Sequence, residues 1–158
     1  MKRVYWALLL VIMLLCTLAG CSGYDVLQYK VPSTEEKISV RIDKSDGFAL
    51  AAKEDGTFTI TQDDALVATG VLLPPEKMQK MLTNAKTMKT CEILEEGSQD
   101  NLDFLLLKII ANGEAEWVYL VSIDGMEAGL ALNSSISEAA LSSCFAAMSL
   151  QATQATEE

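Results

Sequence analysis

The sequence predicts an α+β fold: a mostly antiparallel β-sheet with two packed helices, forming a single domain over residues 37–150. Three observations carry that reading. Short segments alternate apolar and polar residues with period two and are separated by Gly/Asp turns, the pattern of a meander. Two other segments repeat apolar residues at three- and four-residue steps, each behind a helix-start signal. Two late strands are apolar at odd and even positions alike, which suits strands with both sheet faces covered.

Ahead of the domain, Met1-Lys2-Arg3 is followed by an almost wholly apolar run from Val4 to Leu15, and Leu18-Ala19-Gly20 precedes Cys21. A cationic start, an apolar stretch and a small-residue cleavage site read as a secretory leader over residues 1–20. The run is short for a bilayer span, which takes roughly 20 apolar residues. Leu18-Ala19-Gly20-Cys21 resembles the lipobox of bacterial lipoproteins. That resemblance implies peptidase recognition at Leu18, Ala19 and Gly20, cleavage before Cys21, and a diacylglyceryl group on the Cys21 sulfur. It implies anchoring at the extracytoplasmic face of a cell membrane. Two acyl chains matter, because one alone anchors marginally at about 0.8 kcal/mol per buried CH2. The alternatives are an ordinary leader with an incidental Cys21, or an uncleaved N-terminal anchor.

Residues 21–36 read as a lipidated tether, polar and interrupted by Pro32 and Ser33-Thr34, although Val26, Leu27 and Tyr29 offer a first strand instead. In the domain, Ile38, Val40 and Ile42 alternate with Lys37, Ser39 and Arg41 as a half-exposed strand. "DKSDG" turns into a strand over Phe48–Lys53, "EDG" into Thr57–Thr61, and "QDD" into Leu66–Leu73. Pro74-Pro75 ends the meander and opens a helix, where a residue without an N–H suits the first helical position. Met78, Met81, Leu82, Ala85 and Met88 share one helical face, with Lys77, Lys80 and Lys86 on the remainder.

The second half repeats the plan. A short strand, Cys91–Glu95, precedes a longer one over Leu102–Ala111. Asn112-Gly113 is a strong hairpin signal, because both residues tolerate positive φ. Trp117–Ile123 returns, and Asp124-Gly125 turns into Met126–Leu132. Ser135-Ile136-Ser137-Glu138 reads as a capping box, starting a helix that buries Ile136, Ala140, Leu141, Cys144, Phe145 and Met148. Leu102, Phe104, Leu106 and Ile110 oppose Leu105, Leu107 and Ile109. Trp117, Tyr119, Val121 and Ile123 likewise oppose Val118 and Leu120. These two strands belong in mid-sheet. Residues 151–158, "QATQATEE", have no hydrophobic face and read as a flexible acidic tail.

The element order, four strands and a helix twice over, is similar to that of PsbP-type and Mog1-type domains, an antiparallel sheet between helical layers. The resemblance covers Ile38 to Leu150 and implies a binding or assembly role rather than catalysis.

Charge and residue type exclude more than they assign. Lys2 and Arg3 leave with the leader, so ten basic and 22 acidic residues remain, a formal charge of −12. Such a chain repels nucleic acid and anionic head groups, so no nucleic-acid partner is expected and membrane contact falls to the N-terminal lipid. The chain has no histidine, which removes Ser-His-Asp and Cys-His nucleophiles and histidine-based zinc sites. Cys91 and Cys144 are the cysteines left after the leader and Cys21, and they allow one intramolecular disulfide; the alternative is two buried free thiols.

Among loop acids, Glu95, Glu96, Asp100 and Asp103 are the candidates for carboxylate chemistry, although adjacent Glu95 and Glu96 on a strand face opposite ways. "DKSDGF" fits a calcium loop at Asp43, Ser45 and Glu54 but misplaces its glycine, and reads better as a hairpin turn. The methionines read as core rather than a copper site. No cofactor, no metal and no catalytic residue is expected. The expectation is a non-enzymatic, membrane-anchored module that binds an envelope protein or small ligand. The alternatives are a carboxylate-dependent hydrolase or carbohydrate-acting domain, and a metal-binding lipoprotein.

Overall fold

The computed structural model describes residues 23–31 and 37–153. Leu18, Ala19, Gly20 and Cys21, with the rest of the leader, Pro32, Ser33-Thr34 and residues 154–158, lie outside the described residues. Turn chemistry builds the first half. Strands β1 (Tyr24–Lys30), β2 (Lys37–Asp43), β3 (Phe48–Ala52), β4 (Thr57–Gln62) and β5 (Ala65–Leu73) follow one another. The β4–β5 hairpin turns on Asp63 and Asp64, with φ of 49° and 66°. Short polar side chains tolerate that left-handed backbone, and its twist matches the flanking strands.

Helix α1 (Pro75–Thr87) then starts with proline at its first position, as expected. Strands β6 (Cys91–Gln99), β7 (Leu102–Ala111), β8 (Glu114–Ile123) and β9 (Gly129–Ser134) follow, with β7 and β8 joined through Asn112-Gly113. Both turn residues have positive φ, 54° and 85°. Helix α2 (Glu138–Ala146) and strand β10 (Met148–Thr153) complete the described chain.

The strands form two antiparallel sheets, a seven-stranded one in the order β3-β4-β5-β9-β8-β7-β6 and a three-stranded one, β1-β2-β10. The α+β reading therefore holds, and β7 and β8 are interior strands apolar on both faces. One face of the large sheet carries Leu106, Tyr119, Val121 and Leu132 into a core shared with α2 and with Ile38, Val40 and Leu150 of the small sheet. The opposite face carries Leu105, Leu107, Val118 and Leu120 into a second core under Met78 and Ala85 of α1.

Four differences from the expected boundaries change the architecture, beyond shifts of up to three residues at the ends of strands such as β3, β8 and β9. Residues 24–30, expected as tether, form β1 and pair along their whole length with β2, because Leu27 and Tyr29 pack on the core. Strand β10 takes residues 148–153, so the tail expected from residue 151 begins inside a strand; Leu150 is buried at its centre. The second helix is shorter than expected at both ends. Ser137, not Ser135, caps it, accepting a hydrogen bond from Ala140 N at 3.1 Å, while Ile136 stays exposed and Met148 belongs to β10. Finally, β6 continues past Glu95 to Gln99 after a bulge between Ile93 and Glu95.

A groove beside the first helix

Helix α1 covers its face of the large sheet incompletely. Met78 is 2 % exposed and Ala85 5 %, while Leu82 is only partly buried. Gly129 admits this close approach: a β-carbon built there would lie 2.7 Å from Met78 Sδ and 2.6 Å from the Val121 carbonyl oxygen. Beyond the covered strip, towards the β6–β7 turn, a cavity of about 460 Å3 opens between α1 and strands β6 to β8. A second hollow of about 310 Å3 shares Leu82 and Ser122 with it and runs on towards Pro75, so the two form one groove along the helix.

Register dictates what lines it. Ser98 pairs with Asp103, and Asp103 with Ser122, so these three side chains stand in one rung on the same face. The next rung is Glu96, Leu105 and Leu120. Leu105 and Leu120 make an apolar floor, and the Ser98 hydroxyl donates to Asp103 Oδ1 at 2.5 Å. From above, α1 contributes Leu82 and Lys86, and the β8–β9 connection adds Met126 and Glu127. The groove thus combines a leucine floor with two hydroxyls, three carboxylates and one ammonium. That set suits a ligand with hydrogen-bonding or cationic groups at one end and an apolar body at the other.

Of the loop acids singled out from sequence, Glu96 and Asp103 meet in this groove. They stand diagonally across β6 and β7, a relationship with a residue spacing of about 7–8 Å and β-carbons somewhat closer. Glu95 lies on the opposite face, as strand alternation requires, where its charge helps raise the Tyr119 phenol; burial is the larger cause. Asp100 sits in the β6–β7 turn with φ of 54° and borders a separate small hollow beside Phe145 and Met148. Ser98, Ser122, Leu82 and Lys86 were missed. The signal for Ser98 was the period of two in "EEGSQ", hidden because the strand was expected to stop at Glu95.

Cys91 and Cys144 are both free thiols, which corrects the disulfide alternative. Cys144 is wholly buried in the α2-side core, whereas Cys91 packs against the α1-side core. The large sheet stands between them. Burial pushes the Cys144 thiol up to about 12 and also raises Cys91.

The "DKSDG" segment is a turn in which Asp43 Oδ1 accepts from Ser45 N at 2.8 Å. The methionines split between the cores: Met78 belongs to one, Met148 packs on the other, and Met88 is exposed. Among the described residues, no three His, Cys, Asp or Glu side chains converge as a metal-ligand set, and no helix is long and apolar enough to cross a membrane. Comparisons with protein-family models, with curated proteins and with solved structures return no match for this chain.

Proposed function

We propose that this protein is a lipid-anchored, extracytoplasmic binding module, non-enzymatic, that receives an envelope protein or small ligand in the groove beside α1. The single observation that carries the binding part is the groove itself. It places polar groups from three strands and a helix around a leucine floor, on a sheet whose faces are otherwise packed. The anchoring part draws on Leu18-Ala19-Gly20-Cys21. With that anchor the domain sits close to it: β1 starts at Tyr24, and the three residue steps from Cys21 span at most about 11 Å. A domain so tethered works at the membrane surface. Kinship with PsbP-type and Mog1-type domains is part of the same proposal, supported by the antiparallel sheet with helical cover on both faces.

Two measurements test it. Intact mass of the protein from native membranes is expected to show a chain starting at an acylated Cys21; a chain starting at Met1, or an unmodified Cys21, refutes the anchor. For the groove, a photo-crosslinking residue in place of Lys86 in live cells is expected to yield one dominant adduct. That adduct should be lost when Ser122→Trp fills the groove and when Cys21→Ala removes the anchor. No adduct above background refutes the groove as the binding site.

A second reading, a carboxylate-dependent hydrolase, draws on Glu96 and Asp103 facing one cavity, as a pair of catalytic carboxylates would. It requires a hydrolytic activity on envelope glycans that disappears in Glu96→Gln and in Asp103→Asn. Activity unchanged in both variants excludes this pair.

A further inference from the structure

The two sheets do not finish their edges alike. At one side, β1 closes against β3: Asp25 Oδ2 accepts the Leu50 backbone N–H at 3.1 Å, and Lys44 pairs with the same carboxylate at 3.1 Å. One edge amide of β3 is thereby satisfied, and β1 and β2 lie against that strand. At the other end of the large sheet, β6 is nine residues long and pairs with β7 alone; among the described residues no strand lies on its outer side. Long open edges are templates for strand addition, which proteins ordinarily cover or blunt.

Two features say what this edge suits. Strand β6 carries Glu92, Glu95 and Glu96 and no basic residue. Glu95 faces the α2 side and Glu96 the groove side, so an added strand meets a carboxylate on either face. The bulge between Ile93 and Glu95 breaks the register, leaving Glu95–Gln99 as the regular tract. A second copy is a poor occupant, because joining two β6 edges sets glutamates near glutamates, and like charges across a strand pair are destabilising.

We propose that the outer edge of β6 accepts an extended cationic polypeptide segment as an eighth strand, over Glu95–Gln99. Main-chain hydrogen bonds supply the affinity, and Glu95 and Glu96 select lysine or arginine at neighbouring positions of the guest. Side chains on one face of that guest reach the mouth of the groove beside Glu96 and Ser98, and those on the other pass Glu95. Strand addition needs no lipid anchor; it shares Glu96 and Ser98 with the groove, and its dependence on alternate guest amides distinguishes it from a ligand held in the groove alone.

The test uses the full chain in detergent and a fluorescein-labelled peptide with adjacent lysines that face both sides of a strand, Thr-Lys-Lys-Val-Lys-Lys-Thr, followed by anisotropy. Four companions separate the contributions: the same peptide with glutamate for lysine, two forms N-methylated on odd or on even residues, and the protein variant Glu95→Lys/Glu96→Lys. Strand addition predicts that the lysine peptide binds and the glutamate peptide does not. It predicts that one N-methyl pattern abolishes binding and the other spares it, since only alternate amides face the edge. The variant, still folded by thermal melting, is expected to bind about tenfold more weakly. Amide exchange over 95–99 is expected to slow at saturating peptide. Equal binding by both N-methyl forms, unchanged exchange in β6, or no binding at millimolar peptide each overturns the proposal.

Discussion

Gly70 is where the packing is least forgiving, and Gly70→Ala is the perturbation that tests it. Gly70 pairs with Phe58 across β4 and β5, and the Phe58 ring, wholly buried, lies over the glycine. A β-carbon at Gly70 would fall inside the ring's van der Waals envelope, touching Cζ and Cε2 and standing 2.6 Å from Cε1. The ring cannot retreat freely. Tyr29 of β1 packs against it, with centroids 5.8 Å apart and planes tilted by 34°. Moving Phe58 therefore disturbs the core that the three-stranded sheet shares with the large one.

Overpacking of this kind costs about 1–3 kcal/mol. The alanine recovers about 0.5–1 kcal/mol of the entropic penalty of glycine in a strand. The expected net loss is about 1–2 kcal/mol, which lowers the melting temperature by roughly 4–8 °C in a domain of this size. Urea unfolding is the assay, with the midpoint shifted and the slope unchanged. Phe58→Leu should relieve the clash, so the double variant is expected to show a favourable coupling of about 1 kcal/mol or more. A Gly70→Ala protein as stable as the parent, or strictly additive losses in the double variant, would refute the packing argument.

Three further outcomes follow from local chemistry. Asp25 is held below the ordinary carboxylate range chiefly by the Leu50 N–H, with Lys44 adding to the effect; its contribution is present above a pH of about 4 and lost as pH falls through the lowered value. Asp25→Asn should thus be less stable than the parent at pH 7, with the gap closing towards pH 2 in acid-titrated melts. Cys144, raised to about 12, stabilises fully below the unfolded thiol value near 8.5 and loses that contribution as pH climbs towards 12. In native protein a thiol reagent should modify Cys91 and spare Cys144 until unfolding, and Cys144→Ala should flatten the alkaline loss; labelling of both thiols at equal rates contradicts the burial. Ser137→Ala removes the α2 cap and should cost about 1 kcal/mol, with Ser137→Gly costing a few tenths, both read from urea midpoints.

Much of the fold was legible because its signals are local. Asn112-Gly113 marked the β7–β8 hairpin, Pro75 the first turn of α1, and the two-faced apolar runs of β7 and β8 their interior place. Boundaries were legible only where a local signal coincided with the tertiary limit. Tyr24–Lys30 looked like tether because Asp25, Gln28 and Lys30 dilute its apolar residues, yet each of its positions finds a partner on β2. The local pattern divides Met148–Thr153 between helix and tail, because strand pairing with β2, more than a hundred residues earlier, leaves no mark in the local sequence.

The sequence by itself determined the class of fold, the strongly acidic character and the absence of imidazole chemistry, because composition and period are properties of the chain alone. It also placed Glu96 and Asp103 among the candidates. Tertiary structure alone decided that Glu96 and Asp103 share a groove with Ser98, Ser122 and Lys86 while Glu95 and Asp100 do not. It alone decided that Cys91 and Cys144 are separated by a sheet, and that β6 rather than β3 is the open edge. Each of these depends on strand register and sheet order. Those are set by which distant apolar faces bury one another, and no window of neighbouring residues encodes that choice.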